Sequence, residues 1–265
     1  MLKRFPELGR NEQRGSKPRC HLLTDGTRAE VAGRLTGLVK PFGSVSKGYV
    51  WRPRGFERTD ELQLHIQNRV IPLKVSRELQ RWWFAVRGGA SPNWDIVSQC
   101  SVGKGTDSKD GVLLVEAKAH SAELNSDAKS PAGASDGSQR NHKRIGDAID
   151  EANVGLQRLT GNAEWSLSRD HCYQISNRFA WAWKIAELGV PVVLVYLGFL
   201  DASEMSDKGD TFADPEGWGR CVKAHAKGQV PEDVWEQPLQ TSSGVSLIAR
   251  AVAVRQALRA ARMPA

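Results

Sequence analysis

The chain has 265 residues, long enough to bury a substantial core as one large α/β domain or as one domain with extensions. Lysine and arginine number 37 against 30 aspartates and glutamates, and the resulting formal charge of +7 favours a polyanionic partner such as nucleic acid. The longest apolar run, 190–200, is too short to span a bilayer, and no apolar run follows the basic N-terminus, so we expect a cytoplasmic protein with no membrane partner.

The first twenty residues are polar and basic. We predict that residues 1–20 form a flexible arm and that residues 21–265 form a single domain. The stretch 24–39 is ambiguous, because its glycines argue against a long helix.

A short aromatic and basic stretch follows. Residues 49–56 are typical of a strand until a proline ends it. Trp51 lies there among three arginines, at positions 52, 54 and 58. An aromatic ring among cations is the pairing that stacks bases and holds phosphates. Taken alone, the pattern is more typical of a surface loop, so both interpretations stay open.

The segment 76–86 also has two interpretations. Ser76 is a suitable N-cap for a helix that would end at a pair of glycines. Alternatively, 81–86 is the first strand of a meander. In the helical interpretation Glu78 becomes a candidate third carboxylate for a metal site, although an exposed helical glutamate is the more common explanation.

The most informative segment is 92–123. Two strand-like runs flank a loop of glycine, serine, lysine and aspartate, which predicts an antiparallel hairpin. Asp95 lies early in the first strand, and Glu116 and Lys118 lie late in the second, on one face. Since the start of one antiparallel strand lies beside the end of the next, we expect two carboxylates and one ammonium at the same edge. Residues 112–115 are apolar on both faces, which predicts an interior strand.

Residues 125–141 are rich in serine, alanine, glycine and aspartate. This composition cannot bury a core, and it predicts a mobile loop that leaves the charged edge and orders over bound substrate. Apolar residues then repeat at three- and four-residue steps, which predicts an amphipathic helix over about 144–159.

A second helix follows, with Ser168 as its N-cap and Gly189 just after its end. Its stripes are largely apolar, so Gln174 and Arg178 are unusual polar residues on a buried helix. Either both face the charged edge, or they form a hydrogen-bond network of helix packing. The apolar run 190–199 predicts a buried strand that is parallel to the second hairpin strand after a right-handed crossover.

The C-terminal part contains two further signals. An Asp-Pro-Glu sequence at 214–216 is a helix start. Residues 246–262 are predicted to form a last helix with three arginines on one stripe, at positions 255, 259 and 262. That stripe is either a phosphate contact or a plain exposed face.

An apolar strand ends in Glu-x-Lys, an aspartate lies on the strand before it, and helices follow. This combination resembles the pattern of the PD-(D/E)XK nuclease superfamily. In this resemblance Asp95 matches the first acidic position, Glu116 the second and Lys118 the lysine. A tryptophan precedes Asp95, and the nearest proline is Pro92, a departure from the superfamily pattern. The resemblance implies an α/β fold with a restriction-endonuclease-like αβββαβ core over about 75–200, in which helices flank a central mixed β-sheet.

The resemblance also implies the chemistry of the site. Mg²⁺, for which Mn²⁺ can substitute, would bind Asp95, Glu116 and the carbonyl of Ala117. Lys118 would position or activate the attacking water, and Gln174 on the following helix would bind water or phosphate. The supporting candidates, in decreasing order, are Arg178, Glu78 and His120. Tyr173 and Asn177 are weaker candidates on the helix of Gln174 and Arg178.

The sequence therefore predicts a metal-dependent nuclease that hydrolyses phosphodiester bonds, with DNA as its expected partner. Restriction-type relatives often dimerise, so a homodimer is compatible with the resemblance. Two alternatives stay open. One is a catalytically silent or partner-dependent nucleic-acid-binding protein of the same fold; the other is a non-nuclease α/β protein in which Glu116 and Lys118 form a structural ion pair.

Overall fold

The structure, a computed structural model, describes residues 13–66, 68–89 and 91–258. In these ranges the chain forms six α-helices and one mixed sheet of seven strands. None of the helices described combines the length and apolarity needed to cross a membrane. The helices are α1 (Ser16–Leu23), α2 (Arg28–Val39), α3 (Leu73–Trp83), α4 (Asp136–Thr160), α5 (Tyr173–Glu187) and α6 (Pro215–Ala226). The strands are β1 (Gly43–Ser44), β2 (Trp51–Arg52), β3 (Ile96–Val102), β4 (Lys109–Lys118), β5 (Val192–Leu200), β6 (Pro238–Gln240) and β7 (Ser246–Arg255).

The predicted hairpin forms the centre of the sheet. β3 and β4 pair antiparallel, from Ile96 opposite Val115 to Val102 opposite Lys109. On its other side β4 pairs in parallel with β5, and the connection between them contains α4 and α5. The strand order is β1-β3-β4-β5-β7-β6, with β2 also paired to β3. The α/β class, the mixed sheet flanked by helices, the hairpin and the parallel partner strand are confirmed.

Each face of the sheet has its own hydrophobic core. Leu114 and Leu194 pack on one face with residues of α3, α4, α5 and α6. Leu113 and Val195 pack on the other face with residues of α1 and α2. Burial of one such side chain contributes about 1.5–3 kcal/mol, so the two cores hold β4 firmly between them. Side chains alternate along a strand, so successive residues of β4 face the core that contains α5 and the core that contains α1 in turn.

The N-terminal segment contains a helix that was not predicted. Residues 16–20, assigned to a flexible arm, belong to α1, whereas residues 1–12 lie outside the described part of the chain. Arg19 of α1 is 2% exposed and donates to the Gly15 carbonyl at 3.0 Å and to the Glu204 carboxylate at 2.9 Å. A buried guanidinium needs such partners, and these contacts anchor the helix.

The ambiguous stretch 24–39 contains α2. Thr27 and Glu30 form a reciprocal capping box, in which the Thr27 N–H donates to Glu30 Oε2 at 2.8 Å. Val31 and Leu35 are buried against the sheet. The cap and the apolar face together outweigh the two glycines of the helix, which cost about 1 kcal/mol each.

α3 confirms the helical interpretation of 76–86, and the alternative strand at 81–86 is wrong. The helix begins at Leu73, after Pro72, so Ser76 is a buried residue inside the helix and not its N-cap. The apolar stripe that decides in favour of the helix consists of Val75, Leu79, Trp82 and Trp83.

The other two long helices begin at positions that differ from the prediction. The predicted loop 125–141 ends at Ser135, whose hydroxyl accepts an N–H of the first turn of α4. α5 begins only at Tyr173. Ser168 lies in the preceding loop and not at the helix N-terminus, because its own N–H donates to the Ser176 hydroxyl at 3.0 Å.

At the C-terminal end, the helix start at 214–216 is confirmed by α6, where Asp214 is the N-cap. The predicted helix over 246–262 is wrong, because Ser246–Arg255 forms β7 along β5. Its β-branched residues Ile248, Val252 and Val254 suit a pleated surface, and its pairing with β5 outweighs the helix preference of its leucine and alanines. Of the three arginines of the predicted stripe, Arg255 ends β7 and pairs with Asp201 at 2.7 Å, whereas positions 259 and 262 lie outside the described residues.

Candidate active site

Asp95 and Glu116 meet at the edge of the sheet, as predicted. Asp95 lies directly before β3, and continuing the register of Ile96 opposite Val115 sets it opposite Glu116. Its backbone N–H donates to the Val115 carbonyl at 3.2 Å, and its Oδ2 accepts the N–H of Ala117 at 2.7 Å. Two carboxylates on neighbouring strands therefore share one face of the sheet.

Glu116 is held by two cations. Its side chain is 3% exposed; Lys118 Nζ donates to its Oε1 at 2.6 Å, and Arg178 Nε donates to its Oε2 at 2.6 Å. Arg178 comes from α5, donates to the Asn93 carbonyl at 2.8 Å, and lies 4.7 Å from the centre of the Trp94 ring. A carboxylate so deeply buried is stable only with hydrogen-bonded partners of opposite charge.

The pKa values of the two carboxylates are shifted in opposite directions, upward for Asp95 and downward for Glu116. Burial, followed by the charge of Glu116, raises the pKa of Asp95 to about 7 against the opposing effects of the Ala117 N–H, Lys118 and Arg178. Burial also acts to raise the pKa of Glu116, but the charges and hydrogen bonds of Arg178 and Lys118 hold it below its ordinary value. Asp95 is therefore the carboxyl that exchanges its proton near neutral pH.

These groups open into a polar cavity of about 610 Å³. β4 and α5 both line this cavity, and all four residues predicted to be catalytic reach it. The predicted residues that line it are Asp95, Glu116, Ala117, Lys118, Gln174 and Arg178. Of these, Gln174 is half-buried on the first turn of α5. The arrangement can bind a polar ligand between a fixed pair of carboxylates and two cations.

Part of the predicted loop forms another wall of the cavity. Five residues between 125 and 130 line it. The Asp127 carbonyl accepts the N–H of Tyr173 at 3.0 Å, and the N–H of Lys129 donates to the Arg169 carbonyl at 2.8 Å. The segment is thus bonded to the start of α5 and its preceding loop, beside the cavity. Ordering of the loop over a substrate stays a prediction.

Two supporting candidates lie outside the cavity. Glu78 is on α3, where its carboxylate pairs with Arg81 at 2.6 Å as an exposed helical ion pair. His120 follows the end of β4 and is 7% exposed, with its Nε2 4.0 Å from Glu123 Oε1. Neither residue lines the cavity of Asp95, so the structure does not bring them to the site.

One carboxylate of the cavity, Glu61, was not predicted from the sequence. Glu61 lines the cavity because the neighbouring Leu62 forms a β-bridge to Trp94. No sequence pattern links that segment to the hairpin, so no signal identified it. Asn177 also lines the cavity, and its Oδ1 accepts from Arg178 at 2.7 Å. Asn177 and Tyr173, the two weaker candidates of this helix, both line the cavity.

The donor set fits a magnesium ion with few protein ligands. Mg²⁺ is usually bound by one or two carboxylates and leaves its other positions to water and phosphate. Asp95 uses only Oδ2 for the Ala117 N–H, and Glu116 Oε1 has a lone pair beyond its Lys118 partner, whereas two Arg178 nitrogens lie 2.6 Å from Glu116 Oε2. Within 13–66, 68–89 and 91–258, no group of three or more His, Cys, Asp or Glu side chains is arranged to hold a metal. Water and substrate oxygens would therefore complete the coordination.

Comparisons of the chain with protein-family models, with curated proteins and with solved structures found no match. The functional assignment therefore depends on the geometry and chemistry of the site itself.

Proposed function

We propose that this protein is a metal-dependent nuclease of the PD-(D/E)XK type that hydrolyses phosphodiester bonds in DNA. The observation that carries the proposal is the convergence of Asp95, Glu116 and Lys118 on one edge of a central sheet, within one polar cavity. Carboxylates for a divalent ion beside an ammonium are the groups that metal-assisted phosphodiester hydrolysis uses. The formal charge of +7 is consistent with a polyanionic substrate.

The order of elements supports the same family. α3 precedes the antiparallel strands β3 and β4, and α4 and α5 lead to the parallel strand β5. β2 supplies a third antiparallel strand on β3, but it precedes α3 in the chain, a departure from a simple αβββαβ order. We therefore propose a restriction-endonuclease-like core with a rearranged first strand.

Each residue of the site has a separate role in the proposed reaction. When bound, Mg²⁺ neutralises phosphate charge and lowers the pKa of the attacking water. Asp95, Glu116 and the Ala117 carbonyl would hold the ion, and water would attack phosphorus in line with the leaving oxygen. Lys118 would orient that water or transfer its proton, and Gln174 of α5 would bind a water or phosphate oxygen.

One observation favours a second candidate, nucleic-acid binding without cleavage. Both oxygens of Glu116 already accept hydrogen bonds, one from Lys118 and one from Arg178. Such a pair also stabilises a protein that performs no chemistry. In the nuclease, Lys118 and Arg178 must share Glu116 with the metal, and substrate phosphate would provide them with a replacement partner.

A cleavage assay distinguishes these candidates. Labelled single-stranded DNA, double-stranded DNA and RNA are incubated with Mg²⁺, Mn²⁺ or EDTA. We expect metal-dependent cleavage of DNA by the wild type and a loss of about 100-fold or more in Asp95→Asn. Asp110→Asn is the matched control, since Asp110 lies at the opposite end of β4 and accepts a hydrogen bond from the Tyr49 hydroxyl.

Each remaining outcome has a definite meaning. Binding of DNA without cleavage would select the second candidate. Cleavage that persists equally in Asp95→Asn would come from another site or from a contaminant. Absence of both binding and cleavage would leave Glu116 and Lys118 as a structural ion pair and contradict the proposal.

A further inference from the structure

A second cavity, of about 640 Å³, lies beside the candidate active site and is strongly basic. Its polar lining comes from the β2 segment, the loop after it, the start of α2 and the loop before α3. The single carboxylate among the described lining residues belongs to Asp60. The arginines that line it are Arg28, Arg52, Arg54, Arg58 and Arg69. We refer to it as the arginine cavity.

The positive charge of this cavity exceeds the negative charge of Asp60, the one carboxylate among its described lining residues. Over the described part of the chain, no ion pair connects any of its five guanidinium groups to a carboxylate. Arg52 is half-buried, and burial followed by the charge of Arg58 lowers its pKa. Arg28 donates to the carbonyls of Lys47 and Tyr49, at 2.6 Å each. Like charges held together in this way are costly unless an anion joins them.

The backbone fixes the arginines in place. The Arg54 N–H donates to the Arg58 carbonyl at 2.9 Å, and the Arg58 N–H donates to the Arg54 carbonyl at 3.3 Å. This tight turn presents both exposed guanidinium groups on one side. Arg52 lies on β2, opposite Val97 of β3. The cluster is therefore attached to the sheet and is not a set of unrelated surface arginines.

The arginine cavity adjoins the candidate active site. Asp60 lines the arginine cavity, and the next residue, Glu61, lines the candidate active site. Arg52 pairs with Val97, only two residues after Asp95 on the same edge of the sheet. The segment 60–62 therefore contributes to the lining of both cavities.

We propose that the arginine cavity binds the phosphate backbone of a nucleic acid strand that continues into the candidate active site. The choice of nucleic acid as the ligand rests on the proposed function, whereas the anion site rests on the arginines themselves. Several guanidinium groups spaced over one concave surface suit consecutive phosphates better than one small anion.

The contact is made to the backbone and not to the bases. Trp51, which the sequence offered as a stacking residue, is 3% exposed and lies below Arg28, whose guanidinium carbon is 4.7 Å from the ring centre. Because this ring is covered, it does not stack on a base, and the arginines are the groups of the cavity that contact the strand, through its phosphates.

A binding experiment without metal tests the inference independently of catalysis. Binding of fluorescein-labelled single- and double-stranded DNA to the full chain is measured in EDTA over a range of salt concentrations. For the double variant Arg54→Gln/Arg58→Gln we expect at least about tenfold weaker binding. We also expect the slope of the logarithm of the association constant against the logarithm of salt concentration to be less negative by roughly 1 to 2.

The control variant carries the same change of charge elsewhere. Arg140→Gln/Arg158→Gln removes two exposed arginines from α4, of which Arg140 makes only an exposed pair with Asp136 at 3.6 Å. We expect this variant to bind DNA as the wild type does. Equal weakening of both double variants would show a general charge effect and overturn the inference, as would no weakening of Arg54→Gln/Arg58→Gln or no DNA binding by the wild type.

Cleavage of the same DNA in Mg²⁺, measured in parallel, separates the two proposals. Arginine-dependent binding without any cleavage would retain the arginine cavity as a nucleic-acid site and reject the nuclease. Metal-dependent cleavage with unchanged binding in Arg54→Gln/Arg58→Gln would retain the nuclease and reject the role of the arginine cavity.

Discussion

The two neighbouring cavities differ in whether their charged side chains are paired within the fold. In the candidate active site, Glu116 is buried, and Lys118 and Arg178 neutralise it at 2.6 Å each. In the arginine cavity, five guanidinium groups line an open surface with one carboxylate, Asp60, among the described lining residues. Segment 60–62 borders both cavities, so the contrast arises within one continuous region of the fold.

The difference shows what each cavity needs from its ligand. Charges that are paired within the fold are rigid and desolvated, which prepares them for precise chemistry. Charges that are unpaired and exposed contribute long-range attraction that an external anion completes. Substitutions should therefore affect stability in the first cavity and affinity in the second.

Glu116→Ala is expected to have the largest effect on stability. Removal of this carboxylate leaves Lys118 and Arg178 buried without their shared partner, which should lower the free energy of unfolding by about 3–5 kcal/mol. Urea unfolding monitored by tryptophan fluorescence measures it. Glu78→Ala is the control, since that glutamate forms an exposed pair with Arg81 and should change stability by about 0.5 kcal/mol or less. Similar losses in both variants would show that the Glu116 network does not stabilise the fold.

Asp95 should produce a pH dependence of stability in metal-free protein. The folded-state pKa of Asp95 is about 7, above the ordinary 3.8, so between these values the folded state retains a proton that the unfolded state has released. Stability from this group is therefore present at low pH and is lost as pH rises to about 7, with a slope of at most about 1.4 kcal/mol per pH unit.

Asp95→Asn removes this titration while retaining an oxygen that can accept the Ala117 N–H. We expect the free energy of unfolding of Asp95→Asn, relative to wild type, to increase between about pH 4 and pH 7 and then to level off. Unfolding in urea with EDTA at several pH values measures it. Parallel pH profiles for the two proteins would mean that the pKa of Asp95 is not raised by its surroundings.

The smallest effect on stability is expected in the arginine cavity. Arg54 and Arg58 are exposed and lack carboxylate partners among the described residues, so Arg54→Gln/Arg58→Gln should change the free energy of unfolding by about 0.5 kcal/mol or less. Thermal unfolding of this variant beside the wild type measures it. A large loss would show that the arginines hold the loop together and would remove the contrast between the cavities.

The sequence was most informative where local pattern and topology coincide. The alternation along β4 and the geometry of an antiparallel hairpin sufficed to bring Asp95, Glu116 and Lys118 together. Gln174 and Arg178 were found because polar residues on an apolar helix are conspicuous. These predictions depend on short separations or on a strong periodic signal.

Features that depend on distant contacts were missed. Glu61 reaches the candidate active site through the pairing of Leu62 with Trp94, which no local pattern encodes. Residues 246–262 were predicted to form a helix with arginines at helical spacing at 255, 259 and 262, whereas the pairing of Ser246–Arg255 with β5 makes that segment a strand. The pair of buried Arg19 and partly exposed Glu204 likewise joins segments far apart in the chain.

The most direct test of the nuclease proposal compares two lysines of the same strand. Single-turnover cleavage of labelled DNA in Mg²⁺ is measured for wild type, Lys118→Ala and Lys109→Ala; Lys109 is exposed at the far end of β4, where its Nζ donates to the Gly244 carbonyl at 3.0 Å. An unfolding midpoint measured first shows that Lys118→Ala is folded under the assay conditions. We predict that this variant cleaves DNA about 100-fold or more slowly than wild type, while Lys109→Ala cleaves at the wild-type rate. Equal cleavage rates in all three proteins would contradict a catalytic role for the Asp95, Glu116 and Lys118 site.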